Sequence, residues 1–500
     1  MINKLSSSLA ALLLVFAFVA FSCSSPFQNR KIPSGTEQHL AEDLLAILNA
    51  PELEPMTIGV KIVSAVTGRT LFSQRSHQLF HPASNMKLFT AVGVLRTMGA
   101  DYRYLTNVFA EENAYMRGDT LFTSLYLFGH GDPLLDSESL DQIASTISNN
   151  YGRVIKGDIF VDESYMDKIP FGKGWMWDDV QYSYAAPLNA LSVNGNSVKI
   201  LISPGASVGA PATVRVDPPT AAVTFDIQAV TAAPTSLAET SIIETLSVER
   251  AWRSRSNKIK VTGRIFLGTG EKEFHRSIEE PGLFAGGLFR DRLHARGVRV
   301  TGKVRRGTTP TRAQILVTYQ SSPMAMALAY MLKESSNLAA ELFLKTMGQY
   351  VTGDIGTAMG GLAVLRQNLK DYIDLEDDQY RFEDGSGLSM YNYVSPDQIV
   401  DLLLTVSHDN SISYAFREAL PVAGVDGSLK HRMKATMATG NLRAKTGTLS
   451  GTSCLSGYVQ TRDGETLAFS IMMNNFIGTP SIARRTQDKI GVLLANFSRK

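Results

Sequence analysis

The stretch Pro82-Ala83-Ser84-Asn85-Met86-Lys87-Leu88-Phe89 decides how this chain is read. Leu88, Phe89, Val92, Leu95 and Met98 recur behind Ser84 at helical spacing, and Pro82 sits just ahead of the start, where proline is tolerated. On a helix, residues three apart share a face, so the amine of Lys87 falls one turn from the hydroxyl of Ser84. A serine hydroxyl is a weak nucleophile until a base takes its proton. A partly buried lysine near a second cation can shed its charge and serve as that base. The helix N-terminus also favours negative charge developing on Oγ. Taken alone, the pair reads equally as a helix cap followed by a surface lysine. S-x-x-K occurs only once in the 500 residues, however, and two more motifs follow it in order.

Lys445-Thr446-Gly447 also occurs once. It reads as a strand beside the cleft, with Lys445 supplying the second cation and a partner for a substrate carboxylate. Gly447 allows a backbone to approach closely, and such a strand can take up a peptide by β-pairing. The backbone N–H groups of Ser84 and Thr448 are the expected oxyanion hole, with Thr446 and Gly447 as substrate-binding positions. Ser335-Ser336-Asn337 precedes the apolar run Leu338 to Leu344. S-x-N also matches at Ser148 and Ser192, and order and context select Ser335. Ser335 is expected to relay a proton to the leaving amine, and Asn337 to hold Lys87 and the substrate backbone. A serine there is also a good helix cap.

Around these motifs the chain organises itself. Glu37 to Ala50 has helical spacing. Thr57–Val63 and Arg69–Phe72 form a hairpin across Thr67-Gly68. Near the other end, Leu442–Thr446 is a strand, Cys454–Gln460 and Glu465–Met473 pair across Asp463-Gly464, and Ile482–Phe497 is an amphipathic helix. The expected fold is α+β: a five-stranded antiparallel sheet flanked by helices and built from both ends of the chain. The 251 residues between Ser84 and Ser335 (335 − 84) are expected to hold one or two inserted β-rich domains. The expected boundaries are 1–22 signal peptide, 23–36 tether, 37–105 first part of the catalytic domain, 106–306 insertion, and 307–500 second part.

The N-terminus carries Lys4 followed by an apolar stretch, Leu9 to Phe21, too short to span a bilayer comfortably. It ends at Ser22-Cys23-Ser24-Ser25, a lipoprotein-like signal in which Cys23 is the lipidation site, although Ala20 stands where Leu or Val is usual. Ordinary cleavage leaving a free cysteine is the alternative. Either way the mature chain is expected outside the cytoplasm, in the periplasm and anchored to a membrane if Cys23 is acylated. The only other cysteine, Cys454, reads as a small core residue. A formal net charge of +2, with acids interrupting the basic stretch Arg250–Arg306, gives no reason to expect nucleic acid.

Two features invite other chemistry and fail. Gly205-Ala206-Ser207-Val208-Gly209 fits G-x-S-x-G, but the prolines behind it exclude the helix that motif needs. His81 lies three residues before Ser84 and reads as a loop histidine, since Lys87 already fits the base. The eight histidines show no H-E-x-x-H pattern, so neither metal nor other cofactor is expected.

S-x-x-K, S-x-N and K-T-G together are the set of the penicillin-interacting serine enzymes. The chain resembles the class C low-molecular-mass penicillin-binding proteins, exported D-alanyl-D-alanine carboxypeptidase/endopeptidases, over nearly its whole mature length. Gly129-His130-Gly131-Asp132-Pro133-Leu134, Gly174-Trp175-Met176-Trp177-Asp178-Asp179, Tyr184-Ala185-Ala186-Pro187 and Asp384-Gly385-Ser386-Gly387-Leu388-Ser389 carry the likeness, as does the long insertion. The resemblance implies a transpeptidase-like domain with nested β-rich domains. It implies cleavage of D-Ala-D-Ala ends and crosslinks in peptidoglycan stem peptides, and acylation of Ser84 by β-lactams. It makes Asp179 and Tyr184 candidate substrate contacts. Met390 stands where the family commonly has Arg, which leaves recognition of the diamino acid open. A β-lactamase is the nearest alternative, but no E-x-x-L-N is found and the chain is far too long. A silent wall-binding lipoprotein is the other, and it has no need of a nucleophile with its base.

Overall fold

The computed structural model describes residues 35–233 and 245–499. The expected signal segment, Cys23 and nearly all of the tether lie outside the described residues.

The catalytic domain contains helix α1 (Gly35–Leu48), strands β1 (Thr57–Ser64) and β2 (Thr70–Gln74), and helix α2 (Met86–Met98). After the insertion come helices α3 (Asn337–Thr352), α4 (Ala358–Ile373) and α5 (Pro396–His408). Strands β3 (Arg443–Leu449), β4 (Thr452–Gln460) and β5 (Thr466–Asn474) and helix α6 (Ser481–Asn496) complete it. The strands form one antiparallel sheet in the order β2-β1-β5-β4-β3. Gly68, Gly451 and Gly464 take the left-handed conformation in its three hairpin turns (φ 70°, 66° and 85°), as those tight connections require.

Successive side chains of a strand point to opposite faces, and both faces of this sheet are apolar. Leu467, Phe469, Ile471 and Met473 of β5 pack with Leu40, Leu44 and Leu48 of α1 and Ile490 and Leu494 of α6. The alternate residues Ala468 and Met472, with Cys454 and Tyr458 of β4, pack against α2, α3, α4 and α5. Each such fully buried large side chain contributes roughly 1.5–3 kcal/mol. A sheet sandwiched in this way holds β3 and α2 in fixed relation, which is what the site needs. Cys454 sits in this core, where burial pushes its thiol up to about 12.

The insertion forms two nested units. In the inner one, residues 197–277, short strands make small sheets around Ile200, Ile202, Ile259 and Val261. The outer one has a five-stranded and a four-stranded sheet, and it differs from the sequence expectation in two ways. It carries two helices, Ser137–Asn150 and Pro281–Ala295. Strand Leu125–Gly129 pairs in parallel with Ile159–Asp162, and parallel strands need a crossover. Leu140, Ile143, Ala144 and Ile147 supply the buried face of the first helix, and Asp136 caps it by accepting from the Ser139 N–H at 2.8 Å. The second difference is the boundary. The insertion does not end at 306, because strand Gln314–Gln320 pairs with Leu105–Ala110 and joins the inserted sheet. The chain therefore enters and leaves the insertion on neighbouring strands, a pairing across some two hundred residues that no local pattern reveals.

Candidate active site

Ser84 does not sit inside α2 but on a 3₁₀ turn, Ala83–Asn85, that leads into it. Ala83 is in the left-handed region (φ 46°), which costs a non-glycine residue on the order of 1 kcal/mol and is held only by surrounding structure. The turn is pinned from β3: Asn85 Nδ2 donates to the Lys445 carbonyl at 3.1 Å. Gly447 is needed for the same approach. A Cβ there would lie 2.7 Å from Pro82 O, 3.1 Å from Ala83 Cβ and 3.2 Å from Ser84 N. Strand β3 thus runs directly beside the amide of Ser84, with Thr448 next along it.

Lys87 is fully buried. Its Nζ lies 2.9 Å from Ser84 Oγ, 2.6 Å from Asn337 Oδ1 and 2.7 Å from the Ser386 carbonyl oxygen. Burial brings its amine down to about 7, against the opposing pull of Asp384 and Glu341. Lys445 is also fully buried, and burial together with the nearby charge of Lys87 holds it well below the usual lysine range. Its Nζ donates to Ser335 Oγ at 2.9 Å and to the Thr446 carbonyl at 3.0 Å. Thr446 Oγ1 is 2.7 Å from Ser428 Oγ, and Thr448 Oγ1 accepts from Arg484 at 3.3 Å.

The middle motif divides its labour in a way the sequence did not indicate. Ser336, not Ser335, caps α3, accepting from the Ala339 N–H at 3.2 Å. Ser335 is left-handed (φ 58°), and that twist turns its hydroxyl to Lys445. Asn337 donates through Nδ2 to the Tyr184 carbonyl at 2.8 Å, so the loop bearing Asp179 and Tyr184 abuts the same cluster. Tyr184 Oη donates to Asp179 Oδ1 at 2.7 Å, and its ring stacks on Tyr182 with centroids 5.3 Å apart. Ser84, Lys87, Ser335, Asn337 and Lys445 are therefore linked through two short hydrogen-bonded chains, one centred on each lysine. His81 is elsewhere, its ring against Tyr393 at 4.6 Å. Among the described residues no group of acidic, histidine or cysteine side chains could hold a metal.

A nucleophilic serine, a neutral-leaning lysine touching it and a second buried lysine reached through another serine can carry acyl transfer. Comparison with known proteins bears on which kind. The family model of the D-Ala-D-Ala carboxypeptidase 3 (S13) family matches residues 40–497. This chain belongs to that family. Curated members resemble it along most of their length. A D-alanyl-D-alanine carboxypeptidase of Actinomadura sp. is 36% identical over 475 residues, covering 92% of this chain and 85% of the relative. The D-alanyl-D-alanine carboxypeptidase DacB of Haemophilus influenzae is 26% identical over 402 residues, 79% of this chain and 80% of the relative. The fold matches the crystal structure of penicillin binding protein 4 from H. influenzae with a TM-score of 0.77 at 21% identity, covering 91% of this chain and 99% of that one.

Within this S13 chain the structure adds residues to which no role had been given. The Ser386 carbonyl holds Lys87, and the loop presenting it hangs on Asp384. That carboxylate accepts from Trp175 Nε1, Ser386 Oγ, the Gly387 and Ser389 N–H groups and Asn392 Nδ2, all within 2.7–2.9 Å. The stretch Asp384–Ser389 was visible as a family-like motif, but Lys87, Thr90 and Trp175, which it meets, are hundreds of residues away. Met390, just beyond it, is half-buried.

Proposed function

We propose that this chain is a serine DD-peptidase of peptidoglycan, removing terminal D-Ala from stem peptides or cleaving D-Ala crosslinks through an acyl-enzyme on Ser84. The observation that carries the reading is the buried Lys87 amine, brought to about 7 and 2.9 Å from Ser84 Oγ. A neutral amine there takes the Ser84 proton as Oγ bonds to the carbonyl carbon of the penultimate D-Ala. The resulting oxyanion faces the N–H groups of Ser84 and Thr448. When the C–N bond breaks, the proton that Lys87 took passes by way of Ser335, which is hydrogen-bonded to Lys445, to the leaving amine, and Lys87 is neutral again. Water then attacks the ester, Lys87 takes its proton, and Ser84 leaves with a proton returned from Lys87. β-Lactams follow the first half: the ring amide opens and the acyl group stays on Ser84.

Asp179 and Tyr184 serve as substrate contacts, supported by the bond from Asn337 to the Tyr184 carbonyl. The chain is exported and held at a membrane by acylation of Cys23, in keeping with the short apolar segment that ends there. No helix among the described residues is long and apolar enough to cross a membrane. Two experiments test this. Muropeptides incubated with the protein should lose D-alanine or pass from crosslinked dimers to monomers; binding without turnover leaves the scaffold reading. Radiolabelled palmitate should enter the mature protein and be lost in Cys23→Ala; incorporation that survives that change removes the anchor.

A further inference from the structure

Glu341 is a fully buried carboxylate behind the site that the reaction itself does not use. It lies four residues after Asn337 on α3, so the two share a face of the helix. Its Oε1 accepts from the Gly385 N–H at 2.9 Å and from the Ser386 N–H at 2.8 Å. Helix α2 grips the same loop from the other side, with Thr90 Oγ1 donating to the Gly385 carbonyl at 2.6 Å. The loop is thus clamped at the Gly385–Ser386 peptide, one peptide before the one whose carbonyl meets Lys87.

The hydrogen count of Lys87 shows what this clamp does. A neutral amine has two N–H bonds and one lone pair. Asn337 Oδ1 and the Ser386 carbonyl consume both N–H bonds. The lone pair is then left facing Ser84 Oγ, where a base needs it. If either acceptor drifts, the amine can turn and donate into Ser84, and the base is lost. One turn of α3 fixes both acceptors: Asn337 is one of them, and Glu341 holds the other.

We infer that Glu341 is a positioning residue for acylation, holding the Ser386 carbonyl so that the lone pair of Lys87 points at Ser84. This rests on the DD-peptidase reading above. Burial and the charge of Asp384 push the Glu341 carboxyl up to about 8, so it works as an acceptor of two N–H groups with or without its charge. The charged groups facing Lys87 are Asp384, Glu341 and Lys445.

The test is stopped-flow acylation by a fluorescent penicillin across pH, alongside thermal melting, for wild type, Glu341→Gln and Glu341→Leu. The Gln variant keeps an acceptor at Oε1, so its plateau rate should stay within about threefold of wild type. Its pH midpoint should stay close to that of wild type, because a carboxyl raised to about 8 is mostly uncharged where Lys87 titrates. The Leu variant keeps bulk but loses the acceptor, and its rate per folded molecule should fall about 10- to 100-fold, the scale of a sub-ångström to 1 Å misplacement. A Leu variant acylating at the wild-type rate, even with a lowered melting temperature, overturns the proposal. Should that variant not fold, a Gln plateau rate more than about tenfold below wild type overturns it instead, since the acceptor at Oε1 is kept. Wild type that is not acylated at all strikes the DD-peptidase reading rather than Glu341.

Discussion

Gly447→Ala adds one carbon where β3 passes the nucleophile. That carbon would lie 2.7 Å from Pro82 O, 3.1 Å from Ala83 Cβ and 3.2 Å from Ser84 N. Ordinary contact begins at 3.4 Å, so the strand and the turn must separate by about 0.7 Å (3.4 − 2.7). No flexible side-chain tip is available to yield, because the three atoms belong to the backbone or to an alanine Cβ. The displacement falls on the Ser84 and Thr448 amides, the pair assigned to the oxyanion. A misplacement approaching 1 Å costs up to about a hundredfold, so we expect acylation by penicillin to fall 10- to 100-fold. Overpacking should cost folding about 1–3 kcal/mol. Helix-lined apolar cores cover both faces of the sheet, so the protein should remain folded. The measurement is the second-order rate of fluorescent penicillin labelling, normalised to folded protein by circular dichroism. A rate within twofold of wild type would refute the reasoning that β3 and Ser84 must touch.

Acylation should depend on pH through Lys87, whose amine sits near 7. The base must be neutral, so the rate should rise with pH through about 7 and level off above; a flat profile from 5 to 9 would remove Lys87 as base. Asp384→Ala leaves the Trp175, Ser386, Gly387, Ser389 and Asn392 donors without their acceptor. Unfolding in urea should show a loss of about 3 kcal/mol or more, and a loss under 1 kcal/mol would mean water replaces the carboxylate. Asp179→Ala should leave penicillin acylation within about twofold, because Asp179 reaches the site only through the exposed Tyr184 hydroxyl. Its turnover of muropeptides should fall, and equal losses on both substrates would place Asp179 in the acyl chemistry instead.

The parts of the site legible in the sequence are those fixed by short-range geometry. Ser84 and Lys87 are one turn apart, and Lys445 and Gly447 lie on one strand, so spacing alone places them. The sheet was legible because two of its three hairpins carry Thr67-Gly68 and Asp463-Gly464 turns between apolar runs, and both faces of β5 are apolar. What stayed hidden depends on long-range partners. Nothing near Ser386 says that its carbonyl meets Lys87, and nothing near Glu341 says that it holds the Gly385 and Ser386 N–H groups. The same holds for Gln314–Gln320, whose place in the inserted sheet is decided by Leu105–Ala110. The helix at Ser137–Asn150 does carry a local signal, the spacing of Leu140, Ile143 and Ile147, inside a segment expected to be β-rich. Backbone strain left no trace at all: neither Ala83 nor Ser335 belongs to the residue types that take a positive φ easily. The motif's serines illustrate the consequence, since Ser336 took the capping role and freed Ser335 for Lys445.

The central claim is that Ser84 forms the acyl-enzyme. Intact-mass spectrometry of penicillin-treated protein, followed by peptide mapping, tests it most directly. One penicilloyl group should be found per chain, on the peptide containing Ser84, and it should be absent in Ser84→Ala. An adduct on another residue, or none on folded wild-type protein, would contradict the account.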